Sequence, residues 1–214
     1  MQDEKMYEIV KNWHDRESDI SLRLSMREVM KVLESDMRKS CAKESGVGDI
    51  AKGANKIIKL AKEGVRENLK GMWKSGDYWC VCDTFRAVRF KDKMPLEELS
   101  GNEVPIDLDR IFASHIKRNA VEITLPDMAD LKVWDKTHKR VKMKHSNQYQ
   151  QDPYLLDASI PLYVDVKFLI SMMECLPNAK VTTGGTSQSA LYFEAENGDG
   201  ILMPTRKPVN SHET

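Results

Sequence analysis

Between residues 160 and 206 the apolar period switches from two to about 3.6 and back to two, an order that few folds accommodate. Ile160-Pro161-Leu162-Tyr163-Val164 reads as a strand. Asp165 then caps a helix carrying Phe168, Leu169, Met172, Met173 and Leu176, which stops at Pro177. Strands are predicted over 179–183, 190–194 and 200–203, the last two joined by Glu196-Asn197-Gly198-Asp199-Gly200, a hairpin signal. The order is β-α-β-β-β, and Phe168, Leu169 and Met172 are expected in its core.

The earlier sequence contains much of the same unit. A helix is expected over 54–69, with Ile57, Ile58, Ala61, Val65 and Leu69 on one stripe. A Ser75-Gly76-Asp77 turn follows, leading into the aromatic and β-branched run Tyr78–Cys82, and Ala87–Phe90 reads as a further strand. Pro105-Ile106-Asp107-Leu108 echoes Tyr163-Val164-Asp165-Val166, each a strand entering an Asp-capped helix. Upstream, residues 19–39 form an amphipathic helix, and the glycine-bearing stretch 40–53 reads as a linker or turn. Val133, Trp134 and Val141 leave 126–144 open between strand and helix. Pro126 with Asp127 and Asp130 in a first turn favours the helix.

Composition narrows the class. The 214 residues are 41% hydrophobic and 31% charged, with 33 basic and 33 acidic side chains, as in a globular protein that needs no disulfide or metal to hold its core. The N-terminus Met1-Gln2-Asp3-Glu4-Lys5 has no signal-peptide pattern, and no apolar run is long enough to span a bilayer, so a cytoplasmic protein is expected. Cys41, Cys80, Cys82 and Cys175 fit free buried thiols, without the spacing of a zinc site. Charge is uneven: residues 51–94 carry 11 basic and 5 acidic side chains, and 126–145 carry 6 and 3. Two local surfaces could therefore face a polyanion.

Three stretches bring a family into view. Tyr163 to Leu176 resembles the last helix of bacterial sliding clamps, the β subunit of DNA polymerase III. Leu191-Tyr192-Phe193-Glu194 with Gly200-Ile201-Leu202-Met203-Pro204-Thr205-Arg206 resembles the clamp's closing hairpin. Cys82-Asp83-Thr84-Phe85-Arg86-Ala87-Val88 is similar to the clamp run Thr-Asp-Gly-(Tyr/Phe/His)-Arg-(Leu/Ala), with Thr84 at the usual glycine. The whole is similar to short clamp-like proteins of prophages and mobile elements in Gram-positive bacteria. The resemblance implies an α+β, DNA-clamp-like domain over 51–206, with a helical N-terminal extension over 1–50. It also implies a basic, helical insertion at 126–145 and a tail over 207–214. A full clamp subunit has three such domains, and this chain has room for one.

Catalytic chemistry is sparse. Gly184-Gly185-Thr186-Ser187 lacks the lysine of a phosphate loop. Asn197-Gly198-Asp199-Gly200 lacks a calcium-ligand ladder. His138 and His145 have no accompanying ligands, and no nucleophile has an evident base. No enzyme activity, cofactor or metal is expected. Lys52, Lys56, Lys59, Lys62 and Arg66 on the basic helix are the candidate contacts to duplex DNA, neutralising phosphates without reading bases. Met203, Pro204 and Arg206 are the candidate partner site, matching the wall of the clamp's peptide groove. The expected function is a non-catalytic clamp-like accessory of phage or mobile-element DNA replication or repair, with a replication protein or clamp-binding peptide as partner. The alternative is a phage regulatory or decoy protein that binds only another protein.

Overall fold

The computed structural model describes residues 2–63, 67–99, 105–116, 121–138, 141–142, 149–150 and 153–206. The chain divides into two compact units, Met1–Gly48 and Asp49–Thr214.

The first unit is a helical hairpin of α1 (Gln2–Arg16) and α2 (Ile20–Glu44). Asp19 starts α2: its carboxylate accepts from Ser21 N–H and Leu22 N–H, at 2.7 and 3.1 Å. Tyr7 donates its hydroxyl to Glu34 Oε1 at 2.9 Å, which fixes the axial register of the antiparallel pair. The linker expected over 40–53 is mostly helix. Of its three glycines only Gly46 turns the chain, with φ of +74°. Gly48 already opens the next helix and Gly53 lies inside it.

In the second unit, α3 (Gly48–Glu63) leads to a short 3-10 turn (Glu67–Leu69) and to three strands, β1 (Trp73–Ser75), β2 (Tyr78–Cys82) and β3 (Arg86–Phe90). Next come α4 (Leu108–Ile116), β4 (Val121–Glu122), α5 (Met128–Thr137), β5 (Val141–Lys142), β6 (Tyr149–Gln150), β7 (Tyr154–Asp157) and β8 (Leu162–Val164). The chain then enters α6 (Val166–Cys175) and finishes with β9 (Lys180–Thr183), β10 (Leu191–Ala195) and β11 (Gly198–Leu202). The unit is therefore α+β. Its main sheet has the order β1-β2-β3-β11-β10-β9-β4, every pairing in it antiparallel.

Apart from the edge strand β4, that order is symmetric about the β3/β11 pair. On each side a helix is followed by a three-stranded meander, α3-β1-β2-β3 and α6-β9-β10-β11, and the two last strands pair antiparallel, Val88 opposite Gly200. The β-α-β-β-β order expected over 160–206 is present, as β8-α6-β9-β10-β11. Leu169 and Met172 are fully buried, as expected, whereas Phe168 is only half-buried.

Central strands β3 and β11 are buried along their whole length, because helices cover both faces of the sheet. On one face Met172 and Leu176 of α6 lie over Gly200. On the other, Leu108 and Phe112 of α4 join Cys80, Cys82, Ala87 and Ile201 in one cluster. Between β10 and β11 the glycine is obligatory. Gly198 has φ of +155°, and a Cβ there would lie 2.0 Å from the Arg89 carbonyl oxygen.

The helix expected over 126–144, the core of the proposed basic insertion, is shorter than its charge pattern suggests. Asp127, not Pro126, begins it, accepting from Ala129 N–H, and α5 ends at Thr137. Beyond it the β-branched Val141 and its neighbour Lys142 pair antiparallel with Gln150 and Tyr149, so strand propensity wins there. Residues 139–140 and 143–148, and the tail 207–214, lie outside the described residues.

Helices α3 and α6 meet at Gly53, where an added Cβ would lie 2.8 Å from Ser171 O and 3.0 Å from Cys175 N, both backbone atoms. Backbone cannot give way as a side chain tip can. Gly53→Ala should therefore destabilise the fold by about 1–3 kcal/mol through overpacking, although helix propensity alone would favour alanine by about 1 kcal/mol. Chemical denaturation of the two proteins decides the sign, and a more stable alanine variant would mean the helices stand further apart.

Candidate functional site

Two regions hold the residues singled out in the sequence, and they differ in what the fold does with them. The first is the outward face of α3. Ala51, Ala54, Ile57, Ile58 and Ala61 are buried, which leaves Lys52, Lys56 and Lys59 exposed at steps of four and three, on one helical face. Lys56 is not an idle cation: its ammonium donates to Glu174 Oε2 of α6 at 2.6 Å, so it ties the two helices together. Lys52 and Lys59 extend the same face. Lys62 falls in the last turn of α3, with a side chain outside the described residues, and Arg66 lies outside them altogether.

The second region is a groove of about 480 Å³ where the C-terminal segment leaves β11. One wall is Pro161 and Tyr163 at the start of β8, another is Ser187 and Gln188 in the β9–β10 turn, and the floor is Met203 to Arg206. Backbone hydrogen bonds hold that floor rigidly: Met203 N–H donates to Phe85 O at 2.9 Å, and Thr205 N–H to Tyr163 O at 2.8 Å. Met203 is 42% exposed and Arg206 is exposed, so the candidate partner residues come together on open surface. Beside them Phe85, also exposed, stacks on Phe168 with ring centroids 5.4 Å apart. Thr205 Oγ1 is buried beneath the groove floor and has no hydrogen-bond partner among the described residues.

The run Cys82–Val88 has a structural role. Asp83 Oδ1 accepts from Phe85 N–H at 2.7 Å and from Arg86 N–H at 2.8 Å, closing the β2–β3 turn. Its Oδ2 takes two hydrogen bonds from the Arg86 guanidinium, at 2.9 and 2.6 Å, and both residues are buried. Arg86 Nη1 reaches on to Ser171 of α6, and its guanidinium lies 4.3 Å from the Phe168 ring centroid.

A second buried arginine, three residues on, faces the other way. Arg89 pairs with Asp199 on β11 through Nε at 2.8 Å and through Nη2, and with Asp109 on α4 at 2.7 Å. Phe112 and Tyr78 rings flank it at 4.0 and 4.5 Å. Burial opposes its charge, but the ion pairs with Asp199 and Asp109 outweigh that and hold the guanidinium protonated more firmly than usual. Tyr192 donates to Asp199 at 3.1 Å, and burial together with that carboxylate pushes its phenol up. Sequence reading placed Asp199 only in a hairpin turn and did not connect it with Arg89 or Asp109, because the three are brought together by elements far apart in sequence.

Among the described residues no three histidine, cysteine, aspartate or glutamate side chains converge as a metal site, and no helix is long and apolar enough to cross a membrane. His138 stacks on Trp134 at 4.0 Å, and His145 lies outside the described residues. A comparison with protein-family models finds no match, and comparisons with curated proteins and with solved structures find none either.

The cysteines divide by burial. Cys80, Cys82 and Cys175 are buried as expected; Cys41 is exposed. Burial pushes the Cys80 thiol up to about 12, with Asp109 and Asp199 adding to the shift against Arg89, and burial likewise raises Cys175. At pH 8 these two groups remain thiols, since the thiolate forms only as pH climbs past the raised value. A thiol reagent at pH 8 should therefore label Cys41 within minutes and the other three cysteines only after unfolding in guanidinium. Rapid labelling of a second cysteine in the folded protein would show that β2 or α6 opens readily.

Proposed function

We propose that this protein is a non-catalytic, clamp-like accessory of phage or mobile-element DNA replication or repair. It acts by capturing a short peptide of a replication protein in the Met203–Arg206 groove, and it touches duplex DNA nonspecifically through α3. The observation that carries the reading is the two-fold order of the main sheet. Two helix-plus-meander units join at their last strands, α3 and α6 meet at Gly53, and the groove opens beside the closing hairpin. The three stretches that resemble sliding clamps form the β2–β3 turn, α6, and the β10–β11 hairpin with its exit. Met203 suits the groove because an unbranched thioether adapts to varied apolar side chains.

The alternative, a regulatory or decoy protein that binds only a protein partner, draws support from one contact. Lys56 is bridged to Glu174, so part of the small basic face of α3 is already neutralised within the protein. A face that small supports only weak, salt-sensitive binding.

Two titrations test the reading. A peptide from the clamp-binding segment of a bacterial DNA polymerase should bind with micromolar affinity, about −8 kcal/mol. Met203→Asp should weaken it at least tenfold without shifting the melting temperature, because Met203 is already exposed. Absence of peptide binding to the parent protein would end the groove reading. For DNA, Lys52→Glu with Lys59→Glu should reduce the salt slope of log K by about 2, one unit for each lost phosphate contact. Lys56 is left in place so that the bridge to Glu174 survives. Peptide binding without any affinity for duplex DNA at low salt would favour the protein-only alternative.

A further inference from the structure

The N-terminal hairpin carries an apolar face that its own two helices do not cover. Its seam is formed by Tyr7, Val10 and His14 on α1 and by Met26, Met30, Leu33 and Met37 on α2, all only partly buried. Ala42 is the single fully buried apolar side chain among the described residues of the two helices. Meanwhile Met6, Ile9 and Trp13 on α1 and Leu22, Val29 and Val32 on α2 stand exposed, Ile9 at 52%, Trp13 at 63% and Val32 at 60%. At about 100° per residue, each set lies roughly 90° from its seam in the same rotational sense. In an antiparallel pair, equal offsets of the same sense put both stripes on one side of the hairpin.

We propose that this face is the interface with a second copy of the chain, two hairpins closing into an antiparallel four-helix bundle. Three features select a second copy as the occupant. The first is area: six side chains near half exposure present on the order of 600 Å² per copy, so two facing copies bury roughly 1,200 Å², where stable specific interfaces begin. Second, residues 1–48 carry nine basic and ten acidic side chains, so like hairpins do not repel strongly.

The third feature is the level of the charges. The Tyr7–Glu34 bond puts Lys5 within about a turn of the level of Asp36, Ile9 of Val32 and Trp13 of Glu28. A two-fold axis parallel to the helices lays α1 of one copy over α2 of the other and keeps those levels. Lys5 then faces the partner's Asp36, and Arg16 lies within a turn of the partner's Glu28, while Ile9 meets the partner's Val32. Both carboxylates are accessible beyond their pairs with Lys39 and Lys31 on their own helix. Neighbouring helices in this arrangement are all antiparallel, as in a four-helix bundle with short loops.

Light scattering and sedimentation equilibrium on the full chain give the test, which is independent of peptide or DNA binding. The parent protein should sediment at twice its 24.5 kDa at micromolar concentration. Ile9→Glu with Val32→Glu should yield monomer with unchanged circular dichroism, since both side chains are exposed in one copy. Lys5→Glu should raise the dimer dissociation constant three- to tenfold, and adding Asp36→Lys should restore it, a surface exchange that leaves folding intact. A monomer at 100 µM overturns the proposal and assigns the face to the rest of the chain or to another protein. A dimer that survives both sets of substitutions overturns it equally, by placing the interface elsewhere.

Discussion

Strand β3 places two arginines inside the protein, and the layers on either side of the sheet depend on them. Arg86 and Arg89 are three residues apart, so the alternation of the strand sends them to opposite faces. One binds Asp83 and reaches α6 through Ser171; the other binds Asp199 on β11 and Asp109 on α4. Each guanidinium has a carboxylate and an aromatic ring to replace the water it gives up, which makes burial of a charge tolerable. Pairs of this kind add little net stability compared with apolar residues of the same size, but they penalise wrong arrangements heavily. If β3 slipped by one residue against β11, both arginines would exchange faces and lose their partners. The ion pairs therefore fix the register in which the two meanders join.

Local chemistry explains which parts of this architecture the sequence reveals. Asp165 followed by Phe168, Leu169 and Met172, and then by Pro177, states where α6 begins, which face it buries and where it stops. Each signal acts within a few residues. Ser75-Gly76-Asp77 and Asn197-Gly198 announce their turns for the same reason, since a glycine that must take positive φ has few other uses. By contrast, the union of β3 with β11 rests on residues more than a hundred positions apart, and no local pattern encodes it. Helix α1 falls within the helical extension expected over 1–50, but its own limits escaped notice because its apolar residues, Met6, Ile9, Val10 and Trp13, serve two stripes and spoil a single period. The reading of 40–53 as a linker failed at Gly53, which is small because another helix passes over it, not because the chain turns there.

The candidate site residues were legible to different degrees. Lysines 52, 56 and 59 were expected on the basic helix together with Lys62 and Arg66, and the three stand exposed on one face of α3. Composition could not show that Lys56 answers to Glu174, a residue on a helix that arrives much later in the chain. In the groove, Met203, Pro204 and Arg206 were visible through their order alone. The walls supplied by Pro161, Tyr163, Ser187 and Gln188 required the fold. Thr205 takes on meaning only in the structure, where its hydroxyl is buried with no hydrogen-bond partner among the described residues.

The two resembling segments nearest the groove carry different kinds of information. Asp83 and Arg86 are accounted for by burial and mutual pairing, so any protein that closes the β2–β3 turn onto α6 in this way needs them, whatever it binds. Met203 and Arg206 have no such justification. Both residues are exposed, and the backbone of this segment is engaged through Met203 N–H and Thr205 N–H. A half-exposed methionine next to the exposed Phe85 offers apolar surface that folding alone does not require. A resemblance confined to positions that stability leaves unconstrained bears on what the protein touches. That is why the groove, rather than the buried motif, carries the functional reading.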